Sequence, residues 1–200
     1  MDFLDLIIPR YTTPLPSFAR NLLITSEGMD FMMTSGRTQI RAVIRPDRFD
    51  FPPYFDPGSD AETGCEIDTD VYHNVTFDSR SRVLNFDRRE FVVHIRTRYK
   101  ITIDPEIQSS YGRGTTRRDR QAGNTTLRFH ESQHGVMCLN YIHRNQIPDL
   151  VIRRGMPQGD IAGIVADFGL RINRYVSQME TYHINAVDCS GRAASFCRAH

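Results

Sequence analysis

Residues 130–134 read His-Glu-Ser-Gln-His, an HExxH pattern inside a segment with helical periodicity. Two histidines four residues apart lie one turn apart on one face of a helix, so both imidazoles can reach one zinc ion at about 2.0–2.1 Å. Glu131 is rotated by about 100° around the helix, beside such a metal rather than on it. A general base for a water at the metal belongs there. The stretch predicts that His130 and His134 bind zinc and that Glu131 is catalytic; the alternative is two surface histidines on an ordinary helix.

The composition is that of a soluble globular protein. Of the 200 residues, 40% are hydrophobic and 24% are charged, which suits one domain with a buried core. No apolar run approaches the roughly 20 residues of a membrane span. Asp2 and Asp5 stand near the start, where a signal peptide would be basic. We therefore expect synthesis in the cytoplasm without a signal peptide, and any export through a dedicated secretion system.

The charge balance argues against a nucleic-acid partner. The net charge is +1, and the arginine-rich segment 113–120 lacks the interleaved aromatic residues that stack on bases. We expect it to be a solvated loop beside the site. Lys100 is the only lysine among 25 basic residues. A GC-rich genome and selection against ubiquitination of a secreted effector would both produce this bias.

The first half of the chain predicts a small antiparallel sheet. Its strand candidates are 29–34, 38–44, 72–77, 83–86 and 91–103. A turn at Gly36 joins the first two as a hairpin. Residues 45–71 are rich in proline, glycine and aspartate and predict an irregular loop. Strict alternation of apolar and polar residues makes 91–103 the clearest strand.

The second half predicts two helices. The first is capped by Asn124 or Thr125 and runs to about residue 144. Its inward face carries both motif histidines together with Leu127, Cys138 and Tyr141. This face would direct the histidines toward the rest of the domain.

The second helix is expected to begin at a cap on Asp160. An apolar stripe at helical spacing runs from Ile161 to Met179. Gly163 and Gly169 weaken the helix but are expected to allow close packing against a neighbour.

These elements together predict a single α+β domain over residues 1–200. Its parts are an N-terminal extension (1–28), a β-rich part (29–103), a loop (104–124), a two-helix part with the zinc site (125–183) and a tail (184–200).

An HExxH helix behind a small antiparallel sheet, followed by a second long helix, resembles the zincin metallopeptidases over about residues 90–190. The gluzincin-like form of bacterial peptidase toxins is nearest in size. The resemblance implies a zinc cofactor on His130 and His134, with Glu131 as the base for peptide-bond hydrolysis. The extended metzincin pattern is absent, because Asn140 stands at the position of its third histidine and Met137 at that of its glycine.

The compact, lysine-poor layout also resembles the metallopeptidase toxin domains attached to type VI secretion spike (VgrG) proteins. That resemblance implies a secreted effector with a peptide or protein substrate and with a secretion-apparatus or immunity-protein partner. Two other functions stay open. One is a zinc amidase that acts on peptidoglycan stems, and the other is a zinc-stabilised binding module without catalysis.

The motif does not fix the third zinc ligand. The gluzincin resemblance implies a glutamate on the second helix, and Glu180 is the only glutamate after the motif. Helical periodicity favours His183, four residues after Met179 and close to the centre of the apolar stripe. Asp188 is a third candidate, because the chain can turn after the helix. Tyr182 is a candidate oxyanion donor.

Strand 91–103 is the expected docking edge for an extended substrate, since it is the last strand before the motif. Its polar face carries Arg96, Arg98 and Lys100, which favour acidic substrates. Charges on an edge strand also prevent aggregation, and this second explanation is equally compatible with the sequence.

The four cysteines contain no CxxC pair, which argues against a structural zinc knuckle. Cys138 lies on the inward face of the first helix and is expected to be buried. Cys189 and Cys197, eight residues apart in the tail, could form a disulfide in an oxidising compartment.

Overall fold

A computed structural model describes residues 10–50, 60–69 and 71–198. Within these residues the chain forms an α+β fold, which confirms the predicted fold class. The strands are β1 (Arg20–Thr25), β2 (Gly28–Ser35), β3 (Thr38–Ile44), β4 (Ala61–Asp68), β5 (Tyr72–Phe77), β6 (Val83–Arg88) and β7 (Phe91–Tyr99). The helices are α1 (Arg117–Gln121), α2 (Leu127–Arg144) and α3 (Gln158–Val187). Across the described ranges, no helix combines the length and the apolar character that a membrane crossing requires.

Five strands form one sheet in the order β1-β2-β3-β7-β4, and β5 and β6 form a separate hairpin. β3 and β7 run parallel, whereas the other neighbours in the sheet run antiparallel. The sequence predicts only antiparallel pairing. After β3 the chain forms β4 at the far edge of the sheet and then the separate β5–β6 hairpin. β7 then lies between β3 and β4, parallel to β3 and antiparallel to β4.

β7 shows the predicted alternation but not the predicted place. One face of the strand is buried throughout, at Phe91, Val93, Ile95, Thr97 and Tyr99. The strand pairs with β3 on one side and with β4 on the other. The prediction that it forms a free docking edge is therefore wrong, because its backbone hydrogen bonds are used within the sheet. Residues 100–103 lie outside the strand.

Two basic residues near the end of β7 form ion pairs with other parts of the chain. Arg98 pairs with Asp50 at 2.9 Å, and Lys100 pairs with Asp60 at 3.3 Å. These two ion pairs weaken the expectation that this face selects acidic substrates, while Arg96 has no ion pair with the residues that the structure describes.

Two strands form where the sequence predicts none. β4 lies inside the predicted loop 45–71, and β1 lies inside the predicted extension 1–28. Every residue of β1 is exposed, so the strand has no buried face and shows no alternation that a sequence could reveal. β4 holds Gly64 and several carboxylates, which lower its strand propensity. β1 forms because it pairs with β2, and β4 forms because it pairs with β7.

The helix starts differ from the predicted caps. Thr126 caps α2, since its hydroxyl accepts from the Phe129 amide at 3.2 Å; the predicted caps were Asn124 and Thr125. α3 begins after Pro157, whose φ of −62° suits a helix start, before the predicted cap Asp160. The prediction of close packing at the two α3 glycines is wrong, because a Cβ at either position would meet nothing within 4 Å.

α2 packs against β4, β2 and β7 on one side and against α3 on the other. Its buried apolar residues join those of the sheet and of α3 in one core. The fully buried members from α2 and α3 include Cys138, Leu139, Ile142 and Met179. Burial of Cys138 confirms its predicted packing role. In the tail, Cys189 and Cys197 form a disulfide with their Cα atoms 5.4 Å apart.

The segment that precedes β1 packs directly onto α2, the helix that carries the HExxH motif. Thr13 is 1% exposed and lies against Gly135, the residue that follows the HExxH motif. A Cβ at Gly135 would overlap the Thr13 side chain. Thr12 lies beside it and bonds Asp47, which in turn pairs with Arg128 of α2 at 3.2 Å. Glycine at position 135 therefore lets this segment approach α2.

The contact at Gly135 gives a stability prediction. Gly135→Ala should destabilise the fold by about 1–3 kcal/mol, because the added methyl group overpacks the buried contact with Thr13. Gly163→Ala is the matched control on α3, where the methyl group meets open space. That change should stabilise by about 0.5–1 kcal/mol, since alanine favours a helix interior over glycine. Chemical denaturation of both variants measures the difference; equal effects would contradict the predicted close approach.

Candidate metal centre

α2 directs the two motif histidines into the protein. His130 is 1% exposed and His134 is 9% exposed, which confirms the predicted inward face. Their Nε2 atoms lie 3.3 Å apart, since the residues are one helical turn apart. Two buried imidazoles on one turn offer two metal-ligand atoms at a common point.

Asp188 supplies the third donor atom at that point. It caps the C-terminal end of α3 and is 7% exposed. Its Oδ1 lies 3.1 Å from Nε2 of His130 and 3.1 Å from Nε2 of His134. In the described part of the chain, these three residues form the group of histidine, cysteine and acidic side chains that could hold a metal ion.

The spacing of the donor atoms fits a metal centre. Tetrahedral zinc with bonds of 2.0–2.1 Å requires ligand atoms about 3.3–3.4 Å from one another. The three observed separations are 3.1, 3.1 and 3.3 Å. Two imidazole nitrogens and one carboxylate oxygen also match the donor types of catalytic zinc sites, which keep a fourth position open. The residues therefore fit a bound metal ion.

The Nδ1 atom of His130 fixes the orientation of its ring. It donates to the backbone carbonyl of Arg113 at 3.0 Å, because a carbonyl oxygen can only accept. The proton on Nδ1 leaves the lone pair of Nε2 available for a metal. Gly112 makes this approach possible: with φ +62° and no Cβ, its backbone lies against His130, Val187 and Asp188.

His134 is oriented by a second histidine. Its Nδ1 lies 3.0 Å from Nδ1 of His183 on α3. When Nε2 of His134 binds a metal, its Nδ1 carries the proton and donates to His183. Burial, and after it the charge of His134, lowers the pKa of His183 to about 4. His183 is therefore neutral at pH 7 and can accept this hydrogen bond.

The Asp188 carboxyl is held in its ionised form. Before a metal binds, burial alone would raise the pKa of Asp188, but hydrogen bonds from His130 and His134 outweigh burial and lower the pKa to about 2. An ionised carboxylate is the form that binds a cation.

Glu131 occupies a different environment on the same helix. It is 3% exposed, and burial raises the pKa of its carboxyl above the usual value. Its Oε2 accepts from the hydroxyl of Thr63 at 2.8 Å. The Thr63 hydroxyl has a single proton, so Thr97 donates to Thr63 across the 2.9 Å that separates their oxygens. Two strands of the sheet thus orient the carboxylate.

The other predicted site residues lie outside the donor group. Glu180 is exposed on α3, so the structure does not bring it to the two motif histidines. His183 contacts Nδ1 of His134, which is the ring nitrogen that faces away from Asp188 and His130. The Tyr182 hydroxyl contacts the sulfur of Met137 at 3.9 Å. Asp188, the third-ranked candidate, completes the group instead.

Three contributors to the centre were hard to find in the sequence. Asp188 lies off the apolar stripe when α3 is projected as a helix, yet the structure buries it at the C-cap of α3 beside the two motif histidines. Thr63 lies in a predicted loop. Arg113 contributes a backbone carbonyl, which carries no side-chain signature.

Comparisons with protein-family models, with curated proteins and with solved structures found no match. The interpretation of the centre therefore depends on its geometry and chemistry.

The donor geometry predicts which residue holds the metal. Asp188→Ala should weaken zinc binding by orders of magnitude, because it removes one of three ligand atoms. Glu180→Ala, which removes an exposed carboxylate from the same helix, is the matched control and should bind zinc like the wild type. Competition with a chromophoric chelator measures both affinities. Loss of zinc from Glu180→Ala with retention by Asp188→Ala would reverse the assignment.

His183 should affect the metal indirectly. His183→Ala leaves the three donor atoms but removes the acceptor for Nδ1 of His134, and such partners typically contribute about 10–100-fold to metal affinity. The same chelator competition measures it. A loss as large as that of Asp188→Ala would indicate that His183 itself binds the metal.

Proposed function

We propose that this protein is a metal-dependent hydrolase, and specifically a zinc metallopeptidase. One observation carries the proposal: a buried glutamate, Glu131, lies on the same helical turn as two histidines whose nitrogens converge with a carboxylate oxygen of Asp188 at 3.1–3.3 Å. Three ligands with a neighbouring base are the arrangement that hydrolysis requires. Two surface histidines on an ordinary helix would have no reason to be buried together.

Zinc at these ligands supplies Lewis-acid chemistry, which makes a water more acidic and polarises the scissile carbonyl. The side chains and backbone of the protein supply the general base and the groups that position it and the ligands. Glu131 accepts the proton of the attacking water, and its raised pKa brings it closer to the neutral pH at which a base transfers protons well. Thr63 holds the carboxylate in place through its hydroxyl. Arg113 and His183 keep the two ligand imidazoles in their required tautomers.

β4 offers the docking edge that β7 does not. β4 is the outermost strand on the β7 side of the five-stranded sheet. It lies against α2 and carries Thr63, so the same strand would position both the substrate and the general base. An extended peptide can add to such an edge through backbone hydrogen bonds. This placement favours a peptide substrate.

A peptidoglycan stem is the second candidate substrate, because it also presents amide bonds to such a centre. Delivery as a secreted effector, with a secretion-apparatus or immunity-protein partner, remains a prediction from the sequence. Loss of catalysis in a binding module is the third possibility, and the presence of a buried, hydrogen-bonded Glu131 argues against it.

The role of Glu131 can be separated from metal binding. Glu131→Gln should keep the bound metal but lose about 10²–10⁴-fold in peptide hydrolysis, since it removes only the base. Glu180→Gln makes the same chemical change at an exposed position and should retain wild-type activity. Activity is measured on a peptide library and on purified peptidoglycan, so that either substrate class is detected.

Elemental analysis of the same samples identifies the metal. Zinc near one equivalent supports the proposal, whereas iron at the two-histidine, one-carboxylate set would indicate oxygenase chemistry instead. Full activity of Glu131→Gln on a genuine substrate would contradict the proposed mechanism.

Docking along β4 predicts a pattern in the substrate. N-methylation of single peptide-bond nitrogens should raise KM at alternate positions, because only every second amide of an added strand faces β4. Methylation at the intervening positions is the matched control and should change KM little. Steady-state kinetics on such a peptide series measures the effect. An increase in KM that does not alternate along the peptide would exclude docking as an added strand.

A further inference from the structure

The disulfide in the tail begins immediately after the third donor residue. α3 ends at Val187, Asp188 caps it, and Cys189 forms the bond to Cys197. The bond closes a loop of nine residues, 189–197, whose first member is the chain neighbour of the proposed ligand. We call this segment the disulfide loop.

The disulfide loop is bonded to the end of α3. The Ala194 amide donates to the backbone carbonyl of Asp188 at 3.1 Å, and the Ser190 hydroxyl donates to the carbonyl of Val187 at 3.0 Å. Ala194 is 7% exposed, so the first of these bonds is shielded from water. The loop therefore pairs the Asp188 carbonyl at the helix end, whereas the Val187 carbonyl also accepts from the Arg113 amide at 2.8 Å.

The same loop is bonded to the segment that holds His130. The Gly112 amide donates to the carbonyl of Arg192 at 2.7 Å, and the Arg192 amide donates to the Thr115 hydroxyl at 2.8 Å. Between these two anchors lies Arg113, whose carbonyl accepts from Nδ1 of His130 at 3.0 Å. The disulfide loop thus contacts the supports of two of the three donor residues.

Besides these hydrogen bonds and the buried Ala194, the side chains of the loop bury little apolar surface. Phe196, its large apolar residue, is 52% exposed, and Ser195 and Arg192 are exposed as well. Helix ends fray when their last carbonyls lose partners. Asp188 sits at such an end, and a metal ligand displaced by about 1 Å no longer completes a site.

We propose that the Cys189–Cys197 disulfide is a positioning element for Asp188, so that the metal centre reaches its full affinity only after the two thiols are oxidised. The inference rests on the proposed function, because it takes Asp188 as a metal ligand. It makes the centre sensitive to the redox state of its surroundings. In a reducing compartment the chain binds metal weakly, and in an oxidising one the same chain is complete.

The oxidation is a thiol–disulfide exchange with a disulfide of an oxidoreductase or of glutathione. One cysteine thiolate attacks a sulfur of that disulfide, which forms a mixed disulfide and releases one thiol of the partner. The second cysteine thiolate then displaces the partner's other sulfur. Cys189 and Cys197 together lose two electrons and two protons, and the partner's disulfide is reduced to two thiols.

The test compares zinc affinity rather than activity. The double variant Cys189→Ser/Cys197→Ser should bind zinc about 10–100-fold more weakly than the oxidised wild type, as expected when the support of a ligand is lost. Cys65→Ser removes a thiol that takes no part in the disulfide and should bind like the wild type. Wild-type protein reduced and then freed of reductant under argon should show the same loss as the double variant.

A double-mutant cycle distinguishes positioning from general stabilisation. In an Asp188→Asn background the cysteine changes should cause little further loss of zinc affinity, because their effect passes through Asp188. An undiminished loss in that background would overturn the inference. Circular dichroism of the metal-free proteins identifies a variant that fails to fold, in which case reduced wild type provides the comparison.

The outcomes separate the two proposals. Equal zinc affinity of oxidised wild type, reduced wild type and the double variant would overturn the positioning role and leave the proposed hydrolase untouched. Failure of oxidised wild type to bind zinc would overturn both.

Discussion

The structure depends on one geometric constraint, the convergence of three ligand atoms within 3.1–3.3 Å of one another. Two of them come from one turn of α2, so a helix alone fixes their spacing. The third comes from the far end of α3, and it reaches the others only because α3 packs along α2 through residues such as Met179 and Tyr175. The loop at Gly112 must also approach closely enough for a backbone carbonyl to reach His130. The positions of the three atoms therefore depend both on the packing of α3 along α2 and on the close approach of the Gly112 loop.

The two buried carboxylates of the centre illustrate how environment assigns roles. Hydrogen bonds from two histidines lower the pKa of Asp188 to about 2, which suits a permanently ionised ligand. Burial raises the pKa of Glu131, whose bond comes from the neutral hydroxyl of Thr63. In many active sites, two neighbouring titratable groups have pKa values shifted in opposite directions and serve different chemical roles. In the proposed hydrolase, this difference separates metal binding by Asp188 from proton transfer by Glu131.

Burying so many polar groups in one place opposes folding unless each has a partner. The partners of this centre come from every part of the fold: β4 and β7 through Thr63 and Thr97, the segment before α1 through Arg113, and α3 through His183. The centre therefore depends on contacts from several separate segments of the chain.

The sequence by itself determined the local features of this protein. Helical periodicity and the HExxH spacing identified α2, its inward face and the roles available to His130, Glu131 and His134, since a helix relates residues one turn apart without help from the rest of the chain. Alternation likewise identified the buried face of β7. Tertiary structure alone decided that β7 is central and β4 is the edge, because strand order depends on pairing between distant segments. It also placed Asp188, rather than Glu180 or His183, at the point where the Nε2 atoms of the motif histidines converge, because the packing of a helix end depends on distant parts of the chain.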